Sequence, residues 1–298
     1  MVEHPPLTRI AADAEPTAMP AASGAPVVVG VDGSELDKSL IRMAAREAAL
    51  HHRPLRIVHT FNWTPDPTEP IPTEVLRDPA AEVLDRAVAI GRRADPVVEV
   101  TATLLEGPPV TVLLRESGAA ALLVIGDGGL GRCTCVPVDA TALMIAARAG
   151  CSVLVARDTV PPPGPIVVGV DGSPSSGLAL DYAFDAARRR GRDLVVIRAW
   201  DPAEQPALSD AQAVGQLDAE IEPWRHRYPG VAAEPRVRVG DPADMVVAVA
   251  ADAELVVASA RGDRPWRGML GGVSQALLYH CTTPVLIVRE PHELYVQV

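Results

Sequence analysis

Val27-Val-Val-Gly-Val-Asp-Gly-Ser34 recurs as Ile166-Val-Val-Gly-Val-Asp-Gly-Ser173. A β-branched apolar run that stops at Asp-Gly-Ser reads as a buried strand turning tightly into a helix, with Ser34 or Ser173 at the N-cap. Pro174 follows in the second copy and suits a first helical turn. Two further segments repeat in the same order. Ala121-Leu-Leu-Val-Ile-Gly-Asp-Gly-Gly129 matches Glu254-Leu-Val-Val-Ala-Ser-Ala-Arg-Gly262, and Ser152-Val-Leu-Val-Ala-Arg157 matches Pro284-Val-Leu-Ile-Val-Arg289. The period is too long for a solenoid, so it marks duplicated domains. A chain of 298 residues accommodates two.

Working outward, each half reads as five short apolar runs separated by helical patterns. The expected strands are 27–31, 54–60, 97–104, 121–125 and 152–156, then 166–170, 193–199, 234–239, 254–258 and 284–288. Helices stand out at 35–52, 79–93, 174–190 and 209–227. Runs apolar throughout suit strands covered on both faces, and alternating β and α implies a parallel sheet with right-handed crossovers. Prolines at 161–163 and 165 break the pattern, which places a linker over 158–164 between units at 26–157 and 165–290. Residues 1–25 read as a disordered Ala/Pro-rich tail and 291–298 as a C-terminal tail. The Pro-rich segment 64–72 reads as a loop.

Composition narrows the chemistry. A net charge of −11 argues against a nucleic-acid partner, which would call for a basic face. Lys38 is the single lysine, which disfavours a lysine phosphate clamp of the Walker kind. Four cysteines are too few for a disulfide framework in a chain this long. No apolar run reaches the roughly 18 residues that span a bilayer, and the first 25 residues lack a signal-peptide core. These features give the expectation of a cytoplasmic protein with no membrane partner.

Two features carry candidate chemistry. Asp32 and Asp171 sit at the carboxyl end of their strands, the edge where open α/β sheets bind ligands. A carboxylate there accepts from a ribose or helps hold a metal; alternatively, Asp-Gly-Ser is a capped turn and nothing more. The second feature is the late glycine loop. In the first half it runs Gly126-Asp-Gly-Gly129, nine residues, then Asp139-Ala-Thr141. In the second it runs Ser259-Ala-Arg-Gly262, eight residues, then Gly271-Gly-Val-Ser274. Glycines admit backbone N–H groups to phosphates, and a helix starting there points its positive end the same way. Cys133-Thr-Cys135 lies in the first of these loops without a second pair at zinc spacing. Cys151 and Cys281 read as buried small hydrophobes, and His51, His52 and His280 as helix-end residues. No catalytic constellation and no metal-ligand set stand out.

On these residues, and on Val273-Ser-Gln-Ala-Leu-Leu-Tyr-His280 followed by Pro284-Val-Leu-Ile-Val288, the chain resembles tandem-domain members of the universal stress protein family over nearly all of 26–290. The resemblance implies two five-stranded parallel-sheet domains of the adenine nucleotide α-hydrolase-like kind, strand order 3-2-1-4-5. It implies ATP or a related adenine nucleotide as ligand, with Mg2+ able to accompany it. Carried over by position, the site residues are Gly30, Asp32, Thr60, Gly107, Gly126 and Gly129 in domain 1. In domain 2 they are Gly169, Asp171, Ala199, Gly240, Ser259, Arg261, Gly262, Gly271, Gly272, Val273 and Ser274. It further implies a regulator with little or no hydrolysis. The last strands, 152–156 and 284–288, would pair as an intrachain pseudo-dimer able to associate into a homodimer. A nucleotide-independent interaction protein is the alternative. Both loops depart from the family spacing of Gly, two residues, Gly, nine residues, then Gly-Ser or Gly-Thr. Asp139-Ala140 replace the final pair in domain 1. Asp127 adds an anion there, and like charges about 4 Å apart cost about 4 kcal/mol at intermediate dielectric. Domain 2 loses its first glycine to Ser259 and one spacer residue, but brings Arg261, Arg264 and Arg267. The expectation is therefore a working site in domain 2 rather than domain 1.

Overall fold

The computed structural model describes residues 24–61, 73–128 (backbone alone for 73–78), 141–158, 161–200, 209–260 and 269–289. Domain 1 runs β1 (Val27–Val31), α1 (Asp37–His51), β2 (Leu55–Phe61), α2 (Thr73–Ala94), β3 (Val100–Glu106), α3 (Pro109–Ser117), β4 (Leu122–Gly126), α4 (Thr141–Arg148) and β5 (Ser152–Ala156). Domain 2 repeats the order with β6 (Ile166–Gly169), α5 (Pro174–Arg190), β7 (Leu194–Trp200), α6 (Asp210–Arg227), β8 (Ala233–Val239), α7 (Pro242–Ala250), β9 (Leu255–Ser259), α8 (Gly272–His280) and β10 (Val285–Val288).

Among the described residues, the ten strands join one sheet in the order β3-β2-β1-β4-β5-β10-β9-β6-β7-β8, so each half has the expected 3-2-1-4-5 order. Pairing is parallel within each half. The exception is the join, where β10 runs antiparallel to β5 with Val285 opposite Val155, Leu286 opposite Leu154 and Ile287 opposite Val153. This reversal points the carboxyl ends of the two halves to opposite edges of the sheet.

Strand periodicity divides the core in two. Val27 and Val29 pack into a layer under α1, α2, α5 and α6, with Ile41, Leu84, Phe184 and Leu217. Val28 faces the other way, into a layer under α3, α4, α7 and α8 with Val112, Ile145, Val246 and Leu277. The central strands such as β1 (VVVGV) and β10 (VLIV) are apolar along their length because both faces are covered, whereas the edge strands β3 and β8 carry polar, partly exposed residues.

Three boundaries differ from the sequence pattern. Val97 lies in the turn before β3, its N–H donating to Asp95 Oδ1 at 2.9 Å, and is 94% exposed; the strand starts at Val100. Helix α2 starts at Thr73 and carries Pro79 inside it. Ser173 caps α5 as expected, accepting from Ser176 N–H at 3.2 Å, but Ser34 does not cap α1, which starts at Asp37 without a side-chain cap.

The halves are locked by charge as well as by strands. Under α1 and α5, the buried Arg190 pairs with Glu47, and Glu254 receives Arg46 at 2.7 Å and Arg192 at 2.6 Å. Arg189 donates to the carbonyl of Leu50 at 2.6 Å. Helix α5 ends on Gly191 at φ 61°, whereas α1 ends on His52 at φ 52°. The left-handed region costs a side-chain-bearing residue about 1–2 kcal/mol. Replacing His52 by glycine is therefore expected to stabilise the protein by about 0.5–1 kcal/mol, after the extra freedom glycine gives the unfolded chain. Urea unfolding measures this; a loss of stability would show that the imidazole makes contacts worth more than the strain.

Candidate functional site

Each opening turn is built the same way at its start. The Asp32 carboxylate accepts the Ser34 N–H at 2.9 Å, and Asp171 accepts the Ser173 N–H at 3.0 Å. Gly33 and Gly172 between them hold φ of 90° and 80°, which glycine adopts without strain. Partial burial opposes ionisation of both carboxylates, yet the hydrogen bonds from the following serine turn hold both below the ordinary aspartate value.

The turns then diverge. In domain 1 the buried Asp37 reaches back over the turn, accepting the Gly33 N–H at 2.8 Å and the Asp32 N–H at 3.4 Å. Its counterpart in domain 2 is Ser176, whose hydroxyl donates to the Ser173 carbonyl at 2.8 Å. The sequence reading missed Asp37; an acid three residues after Ser34, where the other copy has serine, was the available signal.

Strands β6 and β9 are parallel neighbours, so Asp171 and the loop after Ser259 share one edge of the sheet. Beyond that loop, Gly271 N–H donates to the Ala260 carbonyl at 3.0 Å and α8 begins at Gly272. A side chain at Gly272 would meet no heavy atom within 4 Å, so packing does not require glycine there. The N–H groups of Gly272, Val273 and Ser274 lie in the first turn, where no intrahelical acceptor exists and the dipole favours an anion. The Ser274 hydroxyl is spent inside the protein, donating to the Ser259 carbonyl at 2.7 Å.

Other positions sort by cause. Gly107 and Gly240, at φ 129° and 141°, need glycine for the backbone, and a Cβ at Gly107 would also lie 3.2 Å from Val112. Gly30 and Gly169 admit the helices behind them: a Cβ would lie 2.9 Å from Leu113 and 3.1 Å from Val246. Thr60 and Ala199 are half-buried near the ends of β2 and β7. Their neighbours differ between copies. His59 Nδ1 lies 2.8 Å from the Val31 carbonyl, while Arg198 donates to Glu220 at 2.7 Å. Gly126 ends β4 facing open space. Gly129, Arg261, Gly262, Cys133 and Cys135 lie outside the described residues. Among the described residues, no three His, Cys, Asp or Glu side chains cluster as metal ligands, and no helix is long and apolar enough to cross a membrane.

The family pattern described as "Universal stress protein family" matches residues 25–157 and again 164–289. The chain belongs to the universal stress protein family. Universal stress protein Rv2005c of Mycobacterium tuberculosis is 33% identical over 285 residues, covering 89% of this chain and 97% of that one. Universal stress protein Rv2623 of the same organism is 33% identical over 289 residues, covering 89% and 96%. A universal stress protein of Archaeoglobus fulgidus superposes with a TM-score of 0.70 at 16% identity, covering 90% and 97%, and shares the fold.

Within this universal stress protein fold, Asp127 takes a different place from the one its sequence position suggested. Its carboxylate is not a free anion in the glycine loop. It is buried and receives Arg157 Nη1 at 3.0 Å. A salt-bridged carboxylate repels a neighbouring phosphate far less than a lone one, so the acid in domain 1 that bears on the opening turn is Asp37. Burial, and then the nearby Asp32 charge, push Asp37 above the ordinary aspartate value against the Gly33 hydrogen bond. A carboxyl raised on folding favours the folded state while protonated and loses that contribution as pH rises through its folded value. Asp37→Asn is therefore expected to be more stable than wild type at pH 7, with the gap closing below about pH 4, where an unfolded aspartate also protonates. Urea unfolding at pH 3.5 and pH 7 decides it; an Asn variant weaker at pH 7 would mean the ionised group is net stabilising.

Proposed function

We propose that this universal stress protein binds ATP or a related adenine nucleotide in domain 2, with domain 1 as its scaffold. The observation that carries this reading is the contrast between the opening turns. The Asp37 carboxylate already holds two N–H groups of the turn in domain 1. In domain 2 Ser176 turns inward, leaving the Asp171 edge without that acid. The start of α8, with the N–H groups of Gly272 and Val273, faces the same edge of the sheet. Phosphates would lie against those N–H groups with Arg261 and Gly262 of the loop, and Mg2+ would offset charge beside Asp171. The base would lie toward Ala199 and Gly240.

The role is regulatory, with little or no hydrolysis. A carboxylate held below its ordinary value by its own turn is a weak general base. The proposed units are 26–157 and 165–290, joined by 158–164, in a cytoplasmic protein.

Calorimetric titration of wild type, Asp32→Ala and Asp171→Ala tests the reading. Probes are ATP with and without Mg2+, and cAMP and dAMP, the ligands named with two solved universal stress proteins. One site per chain is expected. Asp171→Ala should weaken it about tenfold or more, the worth of a hydrogen bond to a charged group, and Asp32→Ala should leave it unchanged. Absence of binding at millimolar nucleotide would leave the nucleotide-independent interaction protein as the answer, and equal loss in both variants would reject the asymmetry.

A further inference from the structure

Arg157 follows β5 in domain 1, and its guanidinium is buried. Nη1 donates to Asp127 Oδ2 at 3.0 Å, in the loop between Gly126 and Gly128. Its other contacts all lie in domain 2. Nη2 donates to the carbonyls of Leu277 at 2.9 Å and Leu278 at 3.0 Å, and Nε to that of Thr283 at 3.4 Å. Leu277 and Leu278 belong to the last turn of α8; the Leu277 carbonyl also accepts the Cys281 N–H at 3.0 Å, and the Leu278 carbonyl is among the last four, which lack an intrahelical donor. Helix α8 is only nine residues, about two and a half turns, so a tilt at its end moves its start.

We propose that Arg157 is a cross-domain positioning residue. It fixes the axis of α8, whose first turn supplies N–H groups to the nucleotide site of domain 2, and it does so from an anchor, Asp127, in the matching loop of domain 1. This rests on the reading that domain 2 binds nucleotide. The cap is returned across the pseudo-two-fold axis: Arg289, the counterpart of Arg157, donates to the α4 carbonyls of Ala146 at 3.0 Å and Ala147 at 2.9 Å. At the counterpart of Asp127 stands Ala260, which carries no carboxylate. The Asp127 link therefore runs from the loop of domain 1 to the helix of domain 2. A lysine cannot reproduce it, since a single ammonium lacks the planar fork that spans a carboxylate and two carbonyls.

The full chain tests this, using ATP calorimetry and hydrogen exchange of the α8 amides on wild type, Asp127→Asn, Arg157→Lys, Arg289→Lys and Asp171→Ala. Asp127→Asn and Arg157→Lys should each weaken ATP binding about fivefold or more, within the usual range for coupling between sites. Both should speed exchange of the hydrogen-bonded α8 amides from Gln275 onward, and Arg289→Lys should do neither. Should Arg157→Lys fail to fold, the isosteric Asp127→Asn carries the test. ATP binding that Asp171→Ala removes but Asp127→Asn leaves unmoved overturns this proposal alone, and an equal effect of Arg289→Lys overturns its one-way character. Wild type that fails to bind ATP overturns the nucleotide reading and this proposal with it.

Discussion

The antiparallel pairing of β5 with β10 is the contact on which the rest depends. Each half taken alone would end its sheet in a short strand of Val, Leu and Ile with an open edge, a surface prone to further pairing. Setting Leu154 against Leu286 closes both edges at once and merges two sheets into one. It also fixes everything across the join: which helices share a face, that Arg190 meets Glu47, and that Arg157 and Arg289 each reach the other domain's last helix. The two candidate sites lie on opposite edges of the sheet because this one pair runs antiparallel.

Much of this was legible in the sequence because it depends on local pattern. The strands themselves were readable from runs such as Val27–Val31 ending at Asp-Gly-Ser, whereas their order and the join of 152–156 with 284–288 came with the family resemblance that the repeated segments carry. Boundaries drifted where an apolar residue sits in a turn, as at Val97, since periodicity does not see a backbone leaving the sheet. The candidate site was legible only as a set of positions. Gly30 and Gly107 look alike in sequence, yet one serves a close helix contact and the other a left-handed backbone. Which carboxylate bears on the turn was not legible at all. Asp127 stands in the loop by sequence and is salt-bridged by a residue 30 positions away, whereas Asp37 reads as an ordinary helix residue and folds back over the turn.

The difference between the halves is electrostatic more than architectural. Both keep the Asx turn at Asp32 and Asp171, both force glycine after β3 and β8, and both start a helix beyond the glycine loop. What separates them is whether a side chain at the first turn of α1 or α5 is a carboxylate or a hydroxyl. A single substitution at such a position changes what an edge of backbone N–H groups can accept without moving a strand.

The ionic lock between α1 and α5 has a consequence for how such a chain can change. In a two-fold homodimer every residue of the interface meets its own copy's environment, so an acid on one side is an acid on both. Here Glu47 faces Arg190, while the positions corresponding to them hold Ala186 and His51. Glu254 takes Arg46 and Arg192, and its counterpart is Ala121. No symmetric pair of identical subunits could make these contacts once and omit them once. Covalent tethering frees the two copies from self-complementarity, so that each surface answers only to a partner that is always present and always different.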